Sequence, residues 1–458
     1  MKETDMDLPE PRGDEELWTL GKEAPSSGIE AKPLDIRKAF IEVTTRCNLR
    51  CSMCVKSAYP APEGDMDPGL YERILAQMPD LSFLGLSGIG EPLLHPRIVE
   101  FVRLARKRLP DRTVIGFNSN GVLVDEPLAR SLAESGLDKI ALSIDSVDVA
   151  TYGSIRRGGT FDRALAGMDI LAEWIRRVPG TRLKLGVQTV LMKENFRSLP
   201  QMARFFAKHG ARFLILSHLL PYQLHMEQQV VYDANSEGAV KIFERFRDEF
   251  RARGVTYERY QKIMQKFIRT DEEREVVELV QKVMDQAARD QEYVNIPHLL
   301  QKDEALIREV EEVFAETRKV GDRYGLEIEF PRVIPSSERR CDFIEEQSVF
   351  IDFEGKVYPC YFLWHSYLAF VHGRRKHVRR REMGDLAKED LSSIWNREEF
   401  RRFRESAKRY DVPFCTDCNL ASCCDYVLAE EFEQDCAGTQ IPCGDCLWCK
   451  GIFKCLSS

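Results

Sequence analysis

Short apolar runs rich in β-branched and aromatic residues alternate with segments of helical apolar spacing through the first half of the chain. The strand-like runs cover residues 39–43, 83–86, 114–117, 140–144, 183–190 and 213–216. The helix-like segments between them include residues 98–107, 128–135, 161–176 and 199–209. Strand–helix alternation at this spacing predicts parallel strands joined by helical crossovers. The six strand-like runs predict an α/β fold built on a partial (β/α)6 TIM-type barrel.

The hydrophobic pattern changes twice after residue 222. Residues 223–335 contain long polar segments with helical apolar spacing and end in a strand-like run at 326–330. From residue 336 the chain is dense in cysteine, and residues 351–360 predict a β-hairpin with a Glu-Gly turn. We therefore predict four segments: a charged N-terminal tail (1–37), the core barrel (38–222), a helical segment that completes the core (223–335) and a cysteine-rich domain (336–458).

Charge and composition narrow the functional classes. The formal net charge is −8, so the chain as a whole is not suited to binding nucleic acid. The chain has no run of 18 apolar residues, and residues 1–30 are acidic without an apolar signal core. We therefore expect a cytoplasmic protein with no membrane segment. We expect the basic run at 372–381 to be a solvated loop.

Cysteine spacing gives the strongest chemical signal. The chain has 14 cysteines, and in the reducing cytosol clustered cysteines indicate metal ligands before disulfides. Three of them form the pattern Cys47-x3-Cys51-x2-Cys54 directly after the first predicted strand, where barrel folds carry their chemistry. Three thiolates bind three irons of a [4Fe–4S] cluster and leave the fourth iron open, as a catalytic metal site requires. A structural zinc site is the alternative.

The spacing Cys-x3-Cys-x2-Cys after a first strand resembles the signature of the radical S-adenosylmethionine (SAM) superfamily. The resemblance covers residues 40–216 and implies that Cys47, Cys51 and Cys54 hold a catalytic [4Fe–4S] cluster whose open iron binds SAM. It also implies reductive cleavage of SAM to a 5′-deoxyadenosyl radical. The chain departs from the family in carrying Met53 where an aromatic residue usually precedes the third cysteine. A thioether also contacts ring faces, so Met53 remains a candidate for SAM binding.

Further candidates follow the next predicted strands. The segment Gly90-Glu91-Pro92 resembles the family's Gly-Glu-Pro element, which implies contact with the SAM amino group. Asn120 lies in an Asn-Gly turn that resembles another family element. Ser143 and Asp145 end the fourth strand and carry groups that bind a ribose hydroxyl or the SAM carboxylate. Turn formation is the plain alternative at these strand ends.

The last third of the chain carries 11 of the 14 cysteines, and two further four-cysteine clusters need eight. This count predicts one or two auxiliary [4Fe–4S] clusters, with zinc in one site as the alternative. The pattern resembles the SPASM domain, which implies a first auxiliary site at Cys341 and Cys360. The predicted auxiliary ligands are Cys341, Cys360, Cys415, Cys418, Cys424, Cys436, Cys443, Cys446, Cys449 and Cys455.

The chain departs from the SPASM pattern at two positions. Position 428 is Leu where the family has its next cysteine, so the missing ligand comes from the set between Cys436 and Cys455, with no single choice favoured. Tyr361 follows the second cysteine, where the sulfatase-maturating branch has its aspartate base, and this counts against a sulfatase maturase.

These features favour a radical SAM enzyme that modifies a protein or peptide, with ferredoxin or flavodoxin as electron donor. The run Cys443-Gly444-Asp445-Cys446-Leu447-Trp448-Cys449 resembles maturases associated with metalloenzymes, including tungsten-dependent aldehyde oxidoreductases. Two alternatives stay open: an enzyme acting on a small metabolite or tetrapyrrole, and a non-enzymatic iron–sulfur carrier or scaffold. The Gly-Glu-Pro element argues against the carrier, which needs no SAM pocket.

Overall fold

The computed structural model describes residues 34–421, 424 and 434–456, so residues 1–33 of the predicted tail lie outside the described residues. Twelve strands are formed within them. They are β1 (Lys38–Ile41), β2 (Phe83–Gly85), β3 (Val114–Ser119), β4 (Lys139–Ser143), β5 (Lys184–Leu191), β6 (Phe213–His218), β7 (Glu327–Glu329), β8 (Ser348–Ile351), β9 (Lys356–Tyr358), β10 (Tyr367–Val371), β11 (Arg374–Val378) and β12 (Gly384–Asp385).

Ten of these strands form one sheet, in the order β12-β9-β8-β1-β2-β3-β4-β5-β6-β7. Strands β1 to β7 are parallel in succession, and β8 joins them in parallel on the other side of β1. Phe40 of β1 and Phe213 of β6 belong to one buried cluster although four strands separate them, so the sheet curls around that cluster. The α/β class and the six predicted strands are confirmed, and the run at 326–330 forms β7.

The described residues also form sixteen α-helices, most of which lie in the connections between the parallel strands β1 to β7. They are α1 (Val55–Ala58), α2 (Pro68–Ala76), α3 (Ile98–Arg108), α4 (Glu126–Ala133), α5 (Val149–Ile155), α6 (Phe161–Arg177), α7 (Leu199–Lys208), α8 (Glu237–Glu244), α9 (Arg247–Ala252), α10 (Tyr257–Met264), α11 (Asp271–Arg289), α12 (Ile296–Leu300), α13 (Glu304–Tyr324), α14 (Asp342–Glu345), α15 (Leu391–Asn396) and α16 (Glu398–Arg409). The helical segment packs around its own buried cluster, which α8, α10 and α11 share. None of the described helices combines the length and apolar character that a membrane span requires.

The basic run at 372–381 is not a solvated loop, which corrects the expectation from its charge. It begins in the turn of the β10–β11 hairpin, where His372 and Gly373 have φ angles of 51° and 76°. Positive φ at both central residues is the geometry of a two-residue hairpin turn, and Gly373 is the signal for it in the sequence. The hairpin buries Arg374, whose exposed fraction is 4%.

Candidate functional site

The cysteine loop follows β1 and is fixed in place by its own polar residues. Thr44 donates a hydrogen bond to Asp65 at 2.7 Å, and Arg46 holds the same carboxylate through two bonds of 3.0 and 2.6 Å. Arg46 also donates to the Leu94 carbonyl at 2.9 Å, so it ties the loop to the chain that follows β2. Side-chain hydrogen bonds from Thr44 and Arg46 therefore fix the backbone that leads into Cys47.

The turn after β2 packs directly against the cysteine loop. A Cβ atom at Gly90 would lie 2.1 Å from the Thr44 carbonyl oxygen, so only glycine permits this approach. The Glu91 amide donates to the Arg46 carbonyl at 2.7 Å. The Glu91 carboxylate is buried and accepts bonds from the Ser119 hydroxyl at 2.7 Å and the Asn120 amide at 2.6 Å. Glu91 thus joins the carboxyl ends of β2 and β3, and burial raises its pKa.

The strand ends and the cysteine loop enclose one cavity of about 370 Å³, within the range of ~300–1,000 Å³ typical of small-molecule sites. The Asn120 side chain lines it and donates to Asn48 in the cysteine loop at 2.8 Å. Eight of the ten residues predicted for the catalytic cluster and SAM line this cavity: Cys47, Cys51, Met53, Cys54, Gly90, Glu91, Asn120 and Ser143. Pro92 and Asp145 are not among its lining residues.

Arg156 is a site residue that the sequence analysis missed. It lies just after α5, lines the cavity, and forms an ion pair of 2.7 Å with Asp145. Its guanidinium also donates to the Cys51 sulfur at 3.8 Å. Asp145 therefore acts on the site through Arg156. No local pattern marks Arg156, because its two partners lie 11 and 105 residues away in sequence.

Aromatic side chains form a further wall of the cavity. Tyr222 follows β6, Tyr361 and Trp364 follow β9, and Trp448 and Phe453 come from the C-terminal segment. Tyr361 packs edge-on against Trp364, with ring centroids 5.2 Å apart. Tyr361, at the position where the sulfatase-maturating branch has its aspartate base, thus lines the cavity with an aromatic ring instead of a carboxylate.

The C-terminal segment enters the concave side of the sheet, which the sequence analysis did not predict. The Lys454 amide donates to the Ser217 hydroxyl at the end of β6 at 3.1 Å. Leu456 belongs to the buried cluster of Phe40 and Phe213, inside the curled sheet. Cys455 lines the catalytic cavity between these two anchor points. The segment has no hydrophobic periodicity that could have signalled this path.

The cysteine loop fits a [4Fe–4S] cluster with one open iron. The thiols of Cys47, Cys51 and Cys54 line a single cavity, and the adjoining wall offers polar strand ends that suit SAM. Burial raises the pKa of Cys51 to about 11, which Arg156 opposes and the Cys54 and Cys47 thiols increase. Buried thiols need cationic partners to become thiolates, and the irons of a cluster would supply that charge.

The C-terminal cysteines fall into two groups. In the first, burial raises the pKa of Cys360, and the Cys341 and Cys446 thiols raise it further. Cys443 is affected in the same way by Cys446, Cys360 and Cys341, and Cys449 donates to the Cys446 carbonyl at 3.0 Å. We call this set group I: Cys341, Cys360, Cys443, Cys446 and Cys449.

In the second set, Cys436 is exposed, and its pKa is raised by partial desolvation, by Asp435 and by the Cys424 and Cys418 thiols. Cys415 lies near Cys436 in turn. We call this set group II: Cys415, Cys418, Cys424 and Cys436. Cys423 and Leu428 lie outside the described residues.

Cys455, predicted with the auxiliary ligands, lines the catalytic cavity and also a second cavity that Cys341 of group I lines. Burial raises its pKa to about 11, and the charges that act on it include Lys454, Glu329 and Asp342. None of the 13 described cysteines forms a disulfide. Within the described part of the chain, no three His, Cys, Asp or Glu side chains are arranged to hold a single metal ion.

Two domain families match the chain. Residues 41–206 match the radical SAM superfamily, and residues 341–419 match SPASM, an iron–sulfur cluster-binding domain. The first range contains the cysteine loop and the strand-end residues of the cavity, and the second begins at Cys341. Radical SAM domains bind a [4Fe–4S] cluster and SAM, and SPASM domains bind auxiliary iron–sulfur clusters, so these are the cofactors of the chain.

Curated relatives agree with the domain matches. The chain is 29% identical over 423 residues, 91% of its length, to the tungsten-containing aldehyde ferredoxin oxidoreductase cofactor-modifying protein of Pyrococcus furiosus, and covers 96% of that protein. It is 32% identical to a GTP 3′,8-cyclase of Chlorobaculum tepidum over 46% of this chain and 61% of that one. It is 30% identical to the PqqA peptide cyclase of Gluconobacter oxydans over 40% and 49%. The chain is a radical SAM enzyme with a C-terminal SPASM-type iron–sulfur domain.

Proposed function

We propose that the chain cleaves SAM reductively and uses the resulting radical to modify a protein or peptide during metalloenzyme maturation. The observation that carries the proposal is the shared cavity of Cys47, Cys51 and Cys54 with the polar ends of β2, β3 and β4. A low-potential donor such as ferredoxin or flavodoxin supplies the electron.

The cysteine loop would hold the catalytic cluster, with Cys47, Cys51 and Cys54 as its ligands. The bound cluster would supply one electron to SAM, whose C5′–S bond would break to give methionine and a 5′-deoxyadenosyl radical. Arg156 donates to the Cys51 sulfur and is itself held by Asp145, so this pair orients one ligand and balances its charge. The Arg46–Asp65 bonds keep the loop from moving.

The polar wall would orient SAM. Gly90 brings the backbone of its turn against the cysteine loop, while Asn120 and Ser143 present side chains to the cavity. Because the Glu91 carboxylate already joins two strand ends, it positions this wall as well as facing the cavity. Pro92 starts the 3₁₀ turn after Glu91 and contributes rigidity. The aromatic wall excludes water from the radical.

The two cysteine groups would hold two auxiliary clusters. Group II offers four thiols, the number that one [4Fe–4S] cluster takes. Group I offers five, so one of them is not a ligand; Cys446 and Cys449 are adjacent in the structure and compete for the last place. Cys455 belongs to neither set in this proposal.

Support for a maturation role comes from the Pyrococcus furiosus protein, whose name describes modification of an oxidoreductase cofactor and whose likeness spans both domains. A peptide substrate has support from the peptide cyclase of Gluconobacter oxydans. A second candidate is a small planar substrate, which the aromatic wall of the cavity favours because ring faces stack on ring faces.

The test is anaerobic incubation of the reconstituted enzyme with SAM, dithionite and the co-expressed product of a neighbouring gene. Mass spectrometry should show a change in the mass of that protein or its cofactor together with 5′-deoxyadenosine. The Cys47/Cys51/Cys54→Ala variant is the matched control and should give neither. Deoxyadenosine without any change in that protein or its cofactor would favour the small substrate, and absence of deoxyadenosine would refute the proposal.

A further inference from the structure

The two auxiliary cysteine groups lie side by side. Gly444 stands between Cys443 and Cys446 of group I, and a Cβ atom added to it would lie 2.7 Å from the Cys415 sulfur of group II. The backbone of one group is therefore in contact with a sulfur of the other. Any charge held at this junction acts on both groups.

A buried trio of charges occupies the same junction. Asp445, the residue after Gly444, pairs with Arg374 at 3.0 Å and with Lys376 at 3.4 Å. The side chains of Arg374, Lys376 and Asp445 are 3%, 12% and 2% exposed. Two cations and one anion leave a net charge of about +1 in a region of low dielectric, where charges interact strongly.

The β10–β11 hairpin delivers both cations. Arg374 and Lys376 are alternate residues of β11, so they lie on one face of the hairpin. Lys376 also lies 5.3 Å from the ring centroid of Phe362, two residues after Cys360 of group I. Lys376 thus reaches group I through Phe362, and through Asp445 it reaches the Gly444 backbone that contacts the Cys415 sulfur of group II.

We propose that Arg374 and Lys376, held by Asp445, form a cationic bridge between the two auxiliary cluster sites and raise the reduction potential of both clusters. The proposal rests on the assignment of groups I and II as cluster ligands. A reduced cluster carries one more negative charge than its oxidised form, so nearby cations stabilise the reduced form. Net charge and hydrogen bonding around the sulfurs are recognised determinants of cluster potential. Arg374 and Lys376 thus act on the potentials of the auxiliary clusters without being their ligands.

The test is a potentiometric titration of the anaerobically reconstituted enzyme, followed by EPR. In Lys376→Met, at a fixed potential, the ratio of reduced to oxidised cluster should fall at least tenfold at both auxiliary sites, a shift of about 59 mV for one electron. Lys376→Arg should keep the wild-type potentials, and Asp445→Asn should shift them in the opposite direction. The signal of the catalytic cluster should stay unchanged in all three and serves as an internal reference.

Lys388→Met is the matched control, because Lys388 pairs with Asp385 in the same domain but is 76% exposed. Unchanged auxiliary potentials in Lys376→Met with full iron content would overturn the bridge while leaving the proposed function intact. An equal shift in Lys388→Met would also overturn it. Full iron retained in Cys415→Ser and Cys443→Ser would overturn the ligand assignment and the bridge together, whereas loss of auxiliary iron in those variants supports the assignment.

Discussion

The cysteine loop and the C-terminal cysteine groups bring thiols together in different ways. The loop places three cysteines within eight residues, and a single turn of backbone suffices to point them into one cavity. Group I instead combines Cys341 and Cys360 with thiols that follow some 80 residues later. Short spacing therefore specifies a ligand set by itself, whereas distant ligands depend on the fold that joins their segments.

The two regions also differ in how charge is balanced. At the catalytic loop, a single buried guanidinium, Arg156, faces a cysteine sulfur, and Asp145 holds it. At the auxiliary groups, two cations share one buried carboxylate between two sets of thiols.

The largest expected effect separates the two regions by iron content. Replacing Cys47, Cys51 and Cys54 together by Ala should abolish deoxyadenosine formation and remove about four irons per chain, because one cubane is lost. Iron analysis and chromatography of the products measure both quantities. Loss of all iron in this variant would contradict the presence of auxiliary clusters.

A large effect on stability is expected at the charge support of the catalytic loop. Arg156→Met leaves the Asp145 carboxylate, which is fully buried, without its partner, and this should lower the free energy of unfolding by about 3–5 kcal/mol. Arg130→Met breaks an exposed helical pair with Glu134, which solvent screens, so it should leave the free energy of unfolding almost unchanged. Urea unfolding compares the two, and equal costs would show that Asp145 does not depend on Arg156.

A moderate effect is expected where the Gly90 turn meets the loop. Gly90→Ala places a methyl group against the Thr44 carbonyl, so it should lower the free energy of unfolding by about 1–3 kcal/mol and weaken SAM binding. Gly153→Ala is the control, because nothing lies within 4 Å of its Cβ position in α5. That control should be neutral or slightly stabilising. Similar results for both variants would rule out the close contact as the cause.

The smallest expected effect concerns Cys455. Because the structure places this thiol in the catalytic cavity, Cys455→Ser should leave the iron content unchanged, whereas Cys443→Ser should lose auxiliary iron. Iron analysis of the two variants under identical reconstitution decides the point. A drop of about four irons in Cys455→Ser would return this residue to the auxiliary ligands.

The sequence predicts most of the core fold because each strand and helix there carries its own periodicity. The strand predicted at 213–216 is β6, and the helix at 161–176 is α6, with ends that differ by one or two residues. The charge of the basic run predicts a solvated loop, but Gly373 permits the tight turn of a hairpin that pairs residues 374–378 with β10. Arg374, which this hairpin buries, pairs with Asp445. The two residues are 71 positions apart in sequence, so no local pattern indicates the pair.

Local motifs predict the cysteine loop and the strand-end residues of the catalytic site. The other residues that line its cavity come from segments distant in sequence. Glu91 and Asn120 follow neighbouring parallel strands, whose carboxyl ends must meet at one edge, so their convergence follows from topology. Trp448 and Cys455 reach the same cavity only because the C-terminal segment is threaded into the curled sheet. Near the start of this segment, the Arg332 amide donates to the Gly451 carbonyl at 2.9 Å. This bond joins backbone atoms, so the pattern of side chains does not predict it.

The central claim is that three loop thiolates hold a cluster whose open iron binds SAM. The most direct measurement is the EPR spectrum of the dithionite-reduced enzyme before and after SAM is added. The account predicts that SAM changes one of the cluster signals, and that this signal is missing from the Cys47/Cys51/Cys54→Ala variant. A spectrum that SAM leaves unchanged in the fully reconstituted wild type would contradict the account.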